Sequence, residues 1–280
     1  MAMNHKTVLI TGCSSGIGHY AARGLKARGY RVFATARKPA DVERLRGEGL
    51  ESLLLDLDSS ASIRAAVEEL LELTAGRLYG LFNNGGYGQP GAVEDLSRDM
   101  LRAQFETNVF GSIELTNAVI PIMRRQGYGR IVQNSSVLGL VALPYRGAYN
   151  ASKFALEGFY DTLRLELADT GIQVSLIEPG PIESRFRANA YAAYQRGIDA
   201  EHSPHRARYR GVEQRLTKAG PAAPFTLGPE AVLVKLMHAL ERPRARARYY
   251  VTFPTWLFGT LRRVLPTRGM DWVLRRISRY

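Results

Sequence analysis

Cysteine is almost absent from this 280-residue chain: Cys13 is the only one. A single thiol excludes an intramolecular disulfide framework and fits a reducing compartment, so a cytoplasmic location is expected. Long apolar runs are missing too. No uncharged stretch approaches the ~20 residues that cross a bilayer as a helix. The N-terminal MAMNHKTVLIT enters an apolar strand pattern almost at once, which leaves no room for a cleavable signal. His, Cys and Asp show no metal-ligand spacing, so no metal is expected. Acidic residues are outnumbered, 26 Asp and Glu against 38 Lys and Arg, for a net charge of +12. That balance suits a basic solvated surface, an anionic cofactor, nucleic acid or an anionic membrane. No nucleic-acid motif accompanies it, so neither DNA nor RNA is an expected partner.

What the chain does have is alternation. Apolar, β-rich segments at 6–11, 31–36, 51–57, 78–83, 130–135, 172–178 and 248–253 predict strands. Helical patterns lie between them at 19–29, 39–49, 59–75, 99–125, 148–169 and 229–241. Pro39 suits a first helical turn, and Ser59 or Ser60 an N-cap. Apolar strands alternating with helices predict an α/β fold: a Rossmann-like, doubly wound parallel sheet of about seven strands with helices on both faces. Such sheets bind ligands outside the carboxyl ends of their strands. Residues 185–227, rich in Arg, Ala, Tyr and Gly, break the alternation. They are expected to form a substrate-loop insertion in a single domain spanning 1–280, with a basic amphipathic extension at 255–280.

The segment Thr11-Gly12-Cys13-Ser14-Ser15-Gly16-Ile17-Gly18 follows the first strand and opens a helix. Its G-x-x-x-G-x-G spacing is neither the dinucleotide fingerprint nor the P-loop. Glycines let the backbone turn and approach a ligand closely, and N–H groups at a helix start face a pyrophosphate. Ser14 and Ser15 offer hydroxyls; the competing reading is a tight turn that binds nothing. Cys13 reads as a small packing residue. Tyr149 and Lys153 lie four apart on a helix and share a face. A phenol titrates near ~10; a nearby ammonium favours phenolate, so the pair suits acid/base work. An ordinary surface pair is the alternative. Ser135-Ser136, ending the fifth strand, offers a hydroxyl to orient a carbonyl or bonds local backbone. Asn108 is a poor helix former in mid-helix, which suits a hydrogen-bond network or a buried amide satisfied locally.

Strand two ends Ala36-Arg37-Lys38, with no carboxylate to bond the ribose 2′-OH of NAD. Arg37 and Lys38 place positive charge where the 2′-phosphate of NADP would lie. His202 and His205 read as surface residues of the insertion. The tail mixes Trp256, Leu257, Phe258, Trp272 and Leu274 with Arg262, Arg263, Arg275, Arg276 and Arg279. The favoured reading is a helix packed over the substrate pocket or against a partner subunit. The alternative is peripheral contact with an anionic membrane, at its inner surface.

Taken in order, TGCSSGIG, NNGG (83–86), Asn108, Ser135-Ser136, YNASK (149–153) and PGPIES (179–184) resemble the short-chain dehydrogenase/reductase family, from about Lys6 to Ser184. The whole chain looks like the bacterial NADP-dependent aldehyde reductases of that family, and more distantly like its hydroxysteroid and retinol dehydrogenases. The resemblance implies a phosphate turn at Gly12, Gly16 and Gly18, with Ser14, Ser15 and Ile17 at the cofactor. It implies that Asp56 and Leu57 lie at the adenine and that Asn83 to Gly86 support the sheet beside the cofactor, Gly85 standing where the family has alanine. Pro179, Gly180, Ile182 and Ser184 would line the nicotinamide, Ser184 replacing the usual threonine. Asn108 would hold a water in a proton relay. Ser136 rather than Ser135 has the family's spacing to Tyr149, the acid/base. Lys153 would hold the nicotinamide ribose and lower the tyrosine's pKa. The expected activity is NADP(H)-dependent hydride transfer between nicotinamide and a carbonyl/alcohol pair: reduction of a hydrophobic aldehyde or ketone by a homodimer or homotetramer. The alternatives are a hydroxysteroid- or retinol-type alcohol dehydrogenase and, from another class, a non-catalytic NADP(H)-sensing protein. The intact set Asn108, Ser136, Tyr149 and Lys153 argues against the last.

Overall fold

Each apolar run anticipated as a strand carries one in the computed structural model, which describes residues 6–278. In chain order the first half is β1 (Thr7–Ile10), α1 (Gly16–Ala27), β2 (Arg31–Ala36), α2 (Pro39–Gly47), β3 (Glu51–Leu54), α3 (Ser60–Leu73) and β4 (Gly80–Asn83). Then come α4 (Arg98–Phe105), α5 (Gly111–Gln126), β5 (Gly129–Asn134), α6 (Gly147–Glu166) and β6 (Ile172–Glu178). The rest comprises α7 (Phe186–Gly197), α8 (Arg206–Thr217), α9 (Glu230–Glu241), β7 (Arg248–Tyr250), α10 (Phe253–Val264) and α11 (Thr267–Ile277).

The seven strands form one parallel sheet in the order β3-β2-β1-β4-β5-β6-β7. Successive strand residues point to opposite faces, so the fully buried TVLI of β1 feeds two cores. Leu9 joins Phe33, Leu81 and Ile131 beneath Ile63, Val119 and Leu156 of α3, α5 and α6. Val8 and Ile10 join Ala34, Phe82 and Ile177 beneath Ala22, Leu45 and Leu236 of α1, α2 and α9. Covering both faces is what a parallel sheet requires. The winding reverses between β1 and β4, and the crevice beyond their carboxyl ends is where ligands bind sheets of this kind.

Local chemistry explains the helix starts. Lys38 is the N-cap of α2 and Pro39 its first residue; Ser59, not Ser60, caps α3 by accepting the Ser62 N–H at 3.2 Å. Three expectations are revised. The helix at 99–125 is divided into α4 and α5 by a π turn, Glu106–Phe110, that carries Asn108. The insertion is a helical pair, α7 and α8, held by Ala190, Tyr194, Tyr209 and Val212. The tail is two helices, α10 and α11, rather than one; Arg279 lies outside the described residues.

The far edge of the sheet is fixed by charge. Arg248 of β7 reaches Glu157 and Asp161 of α6, and bonds Glu178 of β6 at 2.9 Å. Glu178 is fully buried, and its second oxygen accepts the Tyr249 N–H at 3.1 Å. Burial and the neighbouring Glu157 raise the Glu178 carboxyl, while Arg248 opposes both. Removing the cation strands two buried carboxylates. Arg248→Gln is therefore expected to cost about 3–5 kcal/mol in denaturant unfolding; a loss below about 1 kcal/mol would show that the cluster contributes little.

Candidate active site

The carboxyl ends of β1, β4 and β5 open into a cleft of about 1790 Å³. Its floor begins at the glycine loop. Gly12 and Gly16 have φ of 70° and 59°, the left-handed region that glycine enters without strain. A Cβ on Gly18 would stand 2.4 Å from the Gly12 carbonyl oxygen, so Gly18 permits close packing and does not itself line the cleft. Ser14, Ser15, Gly16 and Ile17 do line it. Ser15 makes no side-chain cap to α1, which leaves first-turn N–H groups for an anion. Arg37 and Lys38 are exposed on the same wall. Asp56 and Leu57 lie beside them, Asp56 oriented by the Asp58 N–H at 3.2 Å.

Of the two asparagines ending β4, the structure puts Asn84 in the cleft and Asn83 behind it. Asn83 is buried and donates to Thr116 at 2.7 Å and Tyr160 at 2.8 Å, away from any ligand. Asn84 donates to the Thr11 carbonyl at 2.9 Å and accepts from Asn134 at 3.0 Å. The Thr11 hydroxyl accepts the Asn84 and Gly85 N–H groups at 2.9 and 2.8 Å. Arg44 of α2, another residue not anticipated, donates to the Ser14 carbonyl at 2.7 Å and ties α2 to the glycine loop.

Asn108 also differs from expectation. Its amide is spent on the Tyr87 backbone, accepting the N–H at 3.0 Å and donating to the carbonyl at 2.9 Å, with a further bond to Ser152 at 3.1 Å. The side chain clamps the loop after β4 rather than offering itself to a water.

Ser136, Tyr149 and Lys153 do come together. Ser136 ends the extended chain after β5, its hydroxyl accepting the Leu138 N–H at 3.1 Å and hydrogen-bonded to the Tyr149 phenol. Ser135 turns the other way and donates to Glu157. Lys153 is buried; its ammonium donates to the Asn134 carbonyl at 2.8 Å and lies 5.7 Å from the centre of the Tyr149 ring. Burial pushes the phenol up to about 12, opposed by the Ser136 hydrogen bond and the Arg146 guanidinium. The lowering expected from Lys153 is not seen: the groups that oppose desolvation are Ser136 and Arg146. Burial brings the Lys153 ammonium itself down to about 8, against the attraction of Glu157.

Pro179, Gly180, Ile182 and Ser184 form the opposite wall, where a Cβ on Gly16 would meet the Ser184 Cβ at 2.8 Å. The remaining volume is lined by Leu143, Phe186, Phe225, Phe253, Leu257 and Phe258. Phe186, which heads the insertion, packs its ring at a tilt 5.2 Å from that of Tyr149. From the other side, Phe258, Leu261, Met270 and Leu274 of the tail pack on Val137 and Val141, directly after Ser136. His205 is not simply a surface residue: it meets the Tyr145 hydroxyl at 3.1 Å, and Tyr145 lines the cleft. Cys13 is buried and bonds the Ile10 carbonyl at 3.3 Å, as a packing residue does. Among the described residues, no group of three or more His, Cys, Asp or Glu is placed to hold a metal, and no helix is long and apolar enough to cross a membrane.

This arrangement can bind an anion at a helix start, hold an oxygen between a hydroxyl and a phenol, and exclude water with aromatic rings. Comparison with known proteins agrees on the class. The short chain dehydrogenase family model matches residues 6–195. The uncharacterized oxidoreductase YbbO of Escherichia coli K12 is 46% identical over 270 residues, covering 96% of this chain and 94% of that one. The 3-ketodihydrosphingosine reductase of Bacteroides thetaiotaomicron is 33% identical over 274 residues, covering 98% of each chain. Among solved structures, a short-chain dehydrogenase/reductase from Burkholderia phymatum in complex with NAD superposes with a TM-score of 0.78 at 26% identity, over 100% of this chain and 98% of that one. The chain belongs to the short-chain dehydrogenase family and is an oxidoreductase of that family.

Two outcomes follow from the site's packing and burial. Gly18→Ala drives a methyl into backbone and is expected to cost about 1–3 kcal/mol. Gly85→Ala meets side chains instead, the end of Leu57 at 2.9 Å and the Thr11 hydroxyl at 3.2 Å, and is expected to cost less than Gly18→Ala; equal loss in both would contradict the packing argument. The Lys153 ammonium, brought from 10.5 to about 8, binds fewer protons folded than unfolded between those values, so stability rises with pH there. Lys153→Met is expected to gain roughly 1–3 kcal/mol at pH 7 over the cofactor-free wild type. That advantage should shrink as pH climbs from 8 towards 10.5 in urea unfolding.

Proposed function

We propose that this protein is an NADP(H)-dependent oxidoreductase that reduces a hydrophobic aldehyde or ketone, within one dinucleotide-binding domain that carries the 185–227 insertion and the 255–280 extension. The observation that carries the reading is the hydrogen-bonded pair Ser136–Tyr149 beside Lys153, lining the same cleft as the glycine loop and several aromatic side chains. The glycine loop fits a dinucleotide: its left-handed turns, uncapped helix start and close backbone approach make a cradle that side chains would fill. Arg37 and Lys38 support the phosphorylated cofactor, since a guanidinium can clamp a 2′-phosphate with two bonds. When bound, the nicotinamide supplies the hydride.

The chain's own residues then do the rest. Ser136 holds the carbonyl oxygen, and Tyr149 donates a proton to it as charge develops. A protonated phenol suits the donor role, and a preference for NADPH would favour the reducing direction. Lys153 would anchor the nicotinamide ribose and return the lost proton to Tyr149. Asn108 keeps the loop after β4 in place; with its side chain engaged on Tyr87, any part in a water relay falls to its backbone. Pro179, Gly180, Ile182 and Ser184 would hold the nicotinamide, and Asp56 and Leu57 the adenine. Phe186, Leu143 and Phe258 give the substrate an apolar wall. The reductase from Bacteroides thetaiotaomicron acts, by its name, on a long-chain ketone, in keeping with such a wall. Exposed Phe110, Phe154, Phe159 and Leu165 around α5 and α6 support a homodimer or homotetramer, and the single buried thiol supports a cytoplasmic location.

Tyr149→Phe is expected to lower kcat for NADPH-dependent aldehyde reduction by about 10²–10⁴-fold, with NADPH affinity retained by fluorescence titration. NADPH should outperform NADH across a panel of aldehydes, ketosteroids and retinoids. Undiminished turnover by the phenylalanine variant would sink the mechanism. NADPH binding without turnover of any carbonyl would point instead to a sensor.

A further inference from the structure

The last two helices present two faces of different character. Toward the interior, Phe258, Leu261, Leu265, Met270 and Leu274 cover the segment after Ser136. Toward solvent, Phe253, Trp256, Thr260 and Val264 form a stripe along α10, and all are exposed, Trp256 at 58% and Val264 at 74%. On α11, Trp272 is 61% and Ile277 53% exposed. Around these apolar groups stand five arginines, Arg262, Arg263, Arg268, Arg275 and Arg276, against a single acid, Asp271. Arg268, Arg275 and Arg276 border a surface groove of about 420 Å³ with Trp272 at its side, and the Arg276 guanidinium lies 4.7 Å over that indole. The same helices reach the cleft: Phe253, Leu257, Phe258 and Ile277 line it, and Phe225, 59% exposed, packs on Phe253 at 5.0 Å where it opens.

We propose that α10 and α11 form a docking platform for an anionic phospholipid surface, placed so that an apolar carbonyl compound passes from the lipid into the cleft. The substrate half of this statement rests on the reductase reading; the docking half does not. An interfacial helix carries aromatic and aliphatic side chains for the acyl boundary and basic ones for the headgroups, and both are present here. Charge selects the occupant. A two-fold contact with a second copy would set this arginine-rich patch against itself, whereas anionic headgroups complement it. A nucleic acid would satisfy the arginines but leave the exposed Trp256 and Val264 stripe without an apolar partner. The mouth of the cleft explains why the platform lies where it does. A long-chain substrate is scarce in water and concentrated in the bilayer, so a cleft that opens at the lipid surface shortens its path.

The test is flotation of the full chain, without cofactor or substrate, on phosphatidylcholine vesicles with or without phosphatidylglycerol. Wild-type protein is expected to float with the anionic vesicles and not with phosphatidylcholine alone, and to lose most binding as salt rises. Reversal of the groove, Arg268→Glu with Arg275→Glu and Arg276→Glu, should weaken binding at least about tenfold. Trp256→Ala with Trp272→Ala should abolish whatever binding survives salt. Neither tryptophan lines the cleft, so reduction of a short, soluble aldehyde should continue in that variant and report an intact fold. Reduction of a long-chain aldehyde carried in the vesicles should be faster on anionic than on neutral lipid for the wild type alone. Absence of wild-type flotation, equal flotation on neutral lipid, or an unweakened groove variant would overturn the proposal. So would a concentration-dependent dimer in sedimentation that the tryptophan variant abolishes, which would identify a second copy as the occupant. If no aldehyde is reduced but flotation behaves as described, it is the reductase reading that fails.

Discussion

A hydrogen-bonded seam across three strand ends sets the geometry on which the site depends. Thr11 beyond β1 accepts two backbone N–H groups from the loop after β4; Asn84 of that loop returns a bond to the Thr11 carbonyl and accepts one from Asn134 at the end of β5. Lys153 of α6 closes the series on the Asn134 carbonyl. Four elements distant in sequence are thereby held in register at the point where the winding reverses. Parallel strands leave such carboxyl ends without further sheet partners, and unpaired backbone groups there are costly if buried. Side chains of Thr and Asn satisfy them here, and the glycine loop, the serine and the tyrosine take their positions from the same seam.

The electrostatics of the site are set chiefly by desolvation. Desolvation raises the phenol of Tyr149 and lowers the ammonium of Lys153, so burial disfavours charge on both, while the lysine still carries its proton at neutral pH. Glu157 sits one helical turn beyond Lys153 and favours its charge, yet Glu157 is itself engaged by Arg248 and Ser135. The β7 cation therefore acts at two levels. It secures the sheet edge, and it moderates how strongly a buried carboxylate attracts the proton of the lysine next to the reacting groups. A site poised in this way costs stability, which is the usual trade at functional positions.

Much of the fold was legible because its signals are local. Apolar runs of strand length separated by helical patterns predicted all seven strands of the sheet, and the position of residues just beyond strand ends pointed to the cleft. Contacts that depend on register were not legible. Asn83 and Asn84 are adjacent and chemically identical. Period-two alternation alone sends one to the core and the other to the cleft, and which is which depends on pairing with β1 and β5. Asn108 looked like a group free for a water because its partner, the Tyr87 backbone, lies 21 residues away. The helical pair at 185–227 escaped notice for another reason: its Arg- and Ala-rich helices bury small patches on each other and on Ala92, so the apolar periodicity is weak.

The two halves of the cleft differ in the same respect. Much of the wall around the glycine loop comes from βα turns in the first two-thirds of the chain, each a short motif readable in place. The apolar wall is assembled from Leu143, the head of the insertion and the final two helices, which meet only after the sheet has formed. Changes in the insertion and tail can therefore reshape the pocket while leaving the hydrogen-bonded seam intact. The arginine-bearing tail of this chain is one such solution, in which the inner face of the final helices completes the pocket wall and their outer face remains exposed to solvent.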